Sequence, residues 1–159
     1  MYNNLLKTAD ALARRGTTKP TQADLRRSIS TAYYAMFHCL SHFCADNFVG
    51  VKSPERPEKA WLQVYRSLDH RTVRKACEKC YRSLGTSAGF PQDIIDFASD
   101  FAAAQQLRHD ADYNPKLRLK RNDVLLHLAS VKGAIAKFVN ADTKHKRAFA
   151  ALVMFRDRR

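Results

Sequence analysis

Apolar positions along the chain recur at helical spacing, in stretches set apart by four groups of breakers: Gly16 to Pro20, Gly50 to Pro57, Gly85 to Pro91, and Asn114-Pro115. The clearest stretch is 21–46, where Leu25, Ile29, Ala32/Tyr33, Met36/Phe37, Leu40 and Phe43/Cys44 keep an i, i+4, i+7 rhythm. Thr21 followed by Asp24 reads as a capping box with Asp in place of Glu. Leu5, Ala9 and Leu12 predict an earlier helix. Ala60, Trp61, Val64 and Leu68, then Val73, Cys77, Cys80 and Leu84, predict helix with a break near Asp69-His70. Pro91 suits the first turn of the next helix, through Ile94, Phe97/Ala98, Phe101, Ala104 and Leu107. Asn122 is expected to cap the following one, through Leu125, Leu128, Val131, Ile135 and Phe138. Residues 143–156 read as a short basic helix or an extension of the one before. Only Lys116 to Lys120 alternates, too short a segment for a sheet.

The pattern predicts an all-α bundle of four to six helices, up-and-down, over residues 1–140, with a basic helix or tail over 141–159. A length of 159 residues with 45% hydrophobic and 27% charged side chains suits one folded domain, not a disordered chain. No run is long enough to span a bilayer, and the N-terminus lacks a secretory pattern, so the expected compartment is the cytoplasm. The four cysteines are then expected as reduced thiols.

Charge adds the first functional clue. Lys and Arg number 28 against 15 Asp and Glu, a formal net charge of +13. It is uneven: residues 116–159 carry 12 Lys and Arg against three Asp, whereas 93–112 carry five Asp against one Arg. A basic face of this kind attracts phosphate backbones, although a solvated surface has the same composition.

Three groups of residues bear on chemistry. His38 and His42 with Cys77 and Cys80 have the donor types of a zinc site, but both cysteines fall on an apolar stripe, where Cys behaves as a small hydrophobe. His70, His109-Asp110 and Asp142 or Asp157 follow the order of helical metal phosphohydrolases, a reading that needs every ligand brought together. Leu107 to Pro115 is the densest polar cluster, and at helical spacing Arg108 reaches Asp112 and His109 reaches Tyr113. On the helix of residues 21–46, Tyr33 reads as core with its hydroxyl at the rim. Tyr34 shares the opposite face with Arg27, Thr31, His38 and Ser41, a candidate dimer or ligand surface. Ala102-Ala103-Ala104 permits close helix approach within or between protomers.

Arg27 to His38, which contains Ala-Tyr-Tyr-Ala-Met-Phe-His, resembles the Ala-Tyr-Tyr-Ala-x-Phe-His signature of small HEPN (higher eukaryotes and prokaryotes nucleotide-binding) domains. About 75 residues later, Leu107-Arg108-His109-Asp110-Ala111-Asp112-Tyr113 resembles the Leu-Arg-x-x-Ala-Asp-Tyr that closes a later helix in that family. The resemblance implies a helical bundle that pairs as a homodimer and binds RNA or a nucleotide. It further implies a metal-independent endoribonuclease of a toxin–antitoxin or defence system, with no cofactor and no metal. Carried over by position, Arg108, His109 and Tyr113 are the catalytic candidates. Tyr113 stands where the family has a closing His; a phenol, with a pKa of about 10, shuttles protons less readily at neutral pH than an imidazole. Arg108, Asp112, Tyr34, His38, Arg27, Lys116, Arg118, Lys120 and Arg121 are the expected RNA or nucleotide contacts. The alternative is a non-catalytic module that binds a protein partner, an antitoxin or a nucleotidyltransferase.

Overall fold

A computed structural model describes residues 1–16, 19–82 and 89–155. Among the described residues seven helices follow one another: α1 (Tyr2–Ala13), α2 (Gln22–Val49), α3 (Glu58–Ser67), α4 (His70–Arg82), α5 (Gln92–Tyr113), α6 (Arg121–Asn140) and α7 (Thr143–Met154). No strand occurs among the described residues, and the chain is an all-α bundle. The count exceeds the four to six expected because Leu68, in extended conformation, splits α3 from α4, and Asp142 caps α7 separately with a bond from Lys144 N–H. Leu84, Gly85 and Asp157 lie outside the described residues.

Helix α2 is the axis of the bundle and packs against α1, α3, α5, α6 and α7. At about 1.5 Å per residue its 28 residues run about 42 Å. Its start is the capping box read from the sequence: Thr21 Oγ1 accepts from Asp24 N–H at 3.1 Å, and Asp24 Oδ2 accepts from Thr21 N–H at 3.4 Å. Its end is Gly50, whose φ of +118° only a residue without Cβ adopts freely. Two expected starts shift by a residue. Helix α6 begins at Arg121 after Lys120, with no side-chain cap, so Asn122 stands exposed in the first turn and is not the cap. Pro91 is extended and precedes α5, lending its carbonyl to Ile94 and Ile95 N–H.

The core closes on aromatic rings. Phe97 stacks on Phe138 with centroids 4.4 Å apart, and Phe149 lies 6.2 Å from both rings, so α5, α6 and α7 meet at one point. All four cysteines are buried, unbridged thiols. Burial pushes Cys39 and Cys44 up to about 12 and Cys80 up to about 11, which keeps them protonated and poor metal ligands. Among the described residues, no group of three or more His, Cys, Asp or Glu is placed to hold a metal ion. No single described helix is long and apolar enough to cross a membrane, and the apolar pair α6–α7 is bent by 112° around the core it fills.

His127 on α6 is half-buried with Nε2 sealed and unpartnered among the described residues, and burial lowers its pKa below the ordinary 6.5. His38 and His70 are lowered too, with burial as the largest cause. A folded state that holds imidazoles neutral loses stability as pH falls below the unfolded value, because the unfolded chain takes up protons first. The urea midpoint is therefore expected to fall as pH drops through 6.5, and His127→Gln is expected to flatten that slope. A slope unchanged by the substitution would contradict this.

Candidate nucleic-acid interface at the end of helix α5

One face of α2 meets the last turns of α5 residue by residue. Arg26, Ser30 and Tyr34 stand four apart, hence one above another. Arg26 donates through Nη1 to Ala111 O at 2.6 Å and through Nη2 to Asn114 O at 2.8 Å and Leu117 O at 2.7 Å. Ser30 Oγ lies 3.5 Å from Asp112 Oδ2, and Tyr34 Oη accepts from Arg108 Nη2 at 3.2 Å. A guanidinium that satisfies three carbonyls at a helix C-terminus also interacts favourably with its dipole. Gln22 adds a two-way amide pairing with Leu119, at 2.8 and 2.9 Å. The basic loop between α5 and α6 is thereby fixed against the start of α2.

Arg108 is the centre of this arrangement. Its Nε stands 2.7 Å from Asp112 Oδ2, the i, i+4 pair expected, and is otherwise buried without an aligned hydrogen bond. The guanidinium carbon lies 5.6 Å from the Tyr34 ring centroid and 6.0 Å from that of Tyr113, so two aromatic rings flank it. Nη1 takes no hydrogen bond among the described residues. Such a half-buried, planar donor keeps one edge for an anion, in competition with Asp112.

The other expected site residues divide into those near Arg108 and those committed elsewhere. Tyr113 is exposed, with His109 on its other side at 5.0 Å between ring centroids; His109 is exposed as well and 3.8 Å from Asp110. His109 is one residue on, about 100° around the helix, and its ring pairs with Tyr113 and Asp110. Lys116 and Lys120 are exposed on the loop. Arg118 folds back on Pro115 O at 3.2 Å, while Arg121 caps α1 by donating to Ala13 O at 3.2 Å and Arg14 O at 2.9 Å. Arg121 is thus a structural cap for α1 rather than a free cation beside a backbone. Arg27 is exposed on α2.

The expected open face around Tyr34 is partly closed. Thr31 and Ser41 are buried and bond back to the carbonyls of Arg27 and Phe37, so they offer nothing to a ligand. His38 is half-buried against Tyr65 of α3, and Tyr34 is half-buried with its ring edge to His70 of α4. Tyr33 is fully buried; its hydroxyl meets His70 Nδ1 at 2.7 Å instead of reaching the rim, and burial raises its pKa. The phosphohydrolase order also dissolves: His70 is bound to Tyr33, and His109 faces Tyr113. Of the zinc candidates, His38 bonds Tyr65 at 2.6 Å and His42 pairs with Asp46 at 3.1 Å. Ala102 and Ala104 are buried in the bundle and Ala103 faces out.

Sequence reasoning missed Arg26, Gln22 and His70 as parts of this region. Their partners lie 85 to 97 residues away for Arg26 and Gln22 and 37 residues away for His70, so no local spacing marks them. No protein-family profile, curated protein or solved structure matches the chain.

Proposed function

We propose that this chain is an RNA-binding helical domain of HEPN type, and that Arg108 is its principal phosphate contact. The observation that supports this most is the placement of Arg108, half-buried between Tyr34 and Tyr113 with one edge unbonded, next to a loop that exposes Lys116 and Lys120. The two resemblance motifs, far apart in sequence, supply the two partners of the Tyr34–Arg108 bond. A held guanidinium beside exposed lysines binds a phosphodiester by charge-assisted hydrogen bonds and tracks its neighbours by charge alone. Flanking rings add surface on which bases stack. In this reading two copies pair so that both Arg108 side chains line one groove, and the domain acts as a metal-independent ribonuclease within a toxin–antitoxin or defence system.

Fluorescence anisotropy with labelled single-stranded RNA tests the reading. Each phosphate neutralised contributes a slope of roughly −0.7 in log affinity against log salt. Linear salt-dependent binding, with sedimentation at the mass of a dimer, is the expected result. No affinity at low salt would remove the RNA reading and leave the protein-interaction module.

A further inference from the structure

Two imidazoles border the Tyr34 ring whose hydroxyl holds Arg108, and neither comes from α5. His38 lies one turn beyond Tyr34 on α2, and His70 opens α4. His38 has ring centroids 6.2 Å from Tyr34 and 6.0 Å from Phe37; His70 has them 5.8 and 4.1 Å away. Both histidines therefore border the same two rings, and one of those rings holds Arg108 through its hydroxyl. Each imidazole is oriented through Nδ1, His38 by Tyr65 Oη at 2.6 Å and His70 by Tyr33 Oη at 2.7 Å. That leaves Nε2 on the far edge of each ring for other work. Neither Nε2 takes a hydrogen bond among the described residues. Nor is either one of the sealed, unpartnered polar atoms, which are Gln105 Oε1, Arg108 Nε and His127 Nε2.

We propose that His38 and His70 are the proton-transfer pair of an RNA-cleaving site centred on Arg108, doing from α2 and α4 what no His after Arg108 does from α5. This rests on the RNA-binding reading above. One Nε2 takes the proton of a ribose 2′-hydroxyl as O2′ forms a bond to the adjacent phosphorus. The other, protonated, gives its proton to O5′ as the P–O5′ bond breaks. One proton is taken up and one released, so the products are a 2′,3′-cyclic phosphate and a 5′-hydroxyl with no co-reactant. Arg108 offers its free edge to the charge that develops on the non-bridging oxygens.

The pair must carry one proton between them, which makes the rate bell-shaped in pH. Burial lowers both; the N-terminal ammonium lowers His38 further, while Arg108 and His38 lower His70 and Asp69 opposes them. Other titratable or charged groups around the pair are Tyr33 and Tyr34 on α2, Tyr65 on α3, Asp112 beside Arg108, and Arg74 and Cys77 on α4, which act on the Tyr33 hydroxyl. The acid limb of the profile is therefore expected below the ordinary imidazole value of 6.5.

The test is cleavage of an end-labelled single-stranded RNA in EDTA, with a 2′-deoxy strand as its control. Wild type is expected to cut only the ribose strand and to leave cyclic phosphate ends. His38→Gln and His70→Gln should each slow cleavage roughly 10²- to 10⁴-fold, and for His70→Gln RNA affinity should stay within about twofold. Tyr33→Phe, which frees His70 Nδ1 without removing the imidazole, should shift the pH profile, and His145→Gln should change nothing. Circular dichroism checks that each variant folds. RNA bound but left uncut by wild type at every pH, or cut at full rate by the double Gln variant, overturns the pair and spares the binding site. RNA not bound at all overturns both.

Discussion

Arg108→Ala binds single-stranded RNA roughly 10- to 100-fold more weakly than wild type at low salt, with the fold nearly as stable. A hydrogen bond from a charged donor contributes about 1.5–3 kcal/mol, and each 1.4 kcal/mol is about tenfold in affinity. Arg108 is asked to supply that much because its guanidinium is held by Tyr34 on one side and Asp112 on the other. Little ordering is then left to do on binding. The cost to the protein is small for the same geometric reason. The Arg108–Asp112 pair is within one helix and partly exposed, at 22% and 28% of the side-chain surface, and such pairs contribute at most about 1 kcal/mol. Arg108→Lys keeps the charge and loses the planar fork, so it should recover only part of the affinity. Anisotropy titrations with paired urea melts separate the two effects. Equal affinity for wild type and Arg108→Ala would make the residue a helix-end ion pair and nothing more.

Phe97→Ala is expected to destabilise the fold by about 3–5 kcal/mol. Phe97 is fully buried, stacked on Phe138 at 4.4 Å, and within 6.2 Å of both Phe101 and Phe149. Removing the ring opens a cavity where α5, α6 and α7 converge, and the facing rings belong to separate helices that cannot all collapse into it. Domains of this size are stable by about 5–15 kcal/mol, so the variant is marginal. It also frees the helix that carries Arg108. Equilibrium urea unfolding measures the loss, and a value below about 1 kcal/mol would show that the aromatic junction is not the keystone of the bundle.

Much of the fold was legible because helical period is a local signal. The capping box Thr21–Asp24 and the apolar stripe of α2 need only neighbouring residues to be recognised, and both are present. The boundaries that moved, at Pro91 and Asn122, are places where a residue that favours a helix start has an equally good competitor beside it. The Arg108–Asp112 pair was readable from i, i+4 spacing. Tyr34 and Arg108 came together through two motifs recognised separately, although nothing local says that they touch. Arg26 was invisible: a single arginine on a polar face looks solvated until one carbonyl of α5 and two of the loop after it arrive. Arg121 misled for the converse reason, since a cation in a basic run gives no sign that it will cap α1. His70 could be placed at a break but not beneath Tyr33, because helix pairing decides that contact.

The most direct measurement is an NMR titration of the ¹⁵N-labelled chain with single-stranded RNA, following backbone amides and the arginine Nε–Hε signals. The Arg108 side chain is expected to shift first, together with amides of Tyr34, His38, Tyr113 and the loop from Lys116 to Lys120. Shifts confined to α6 and α7, with Arg108 and Tyr34 unmoved at saturating RNA, would contradict it.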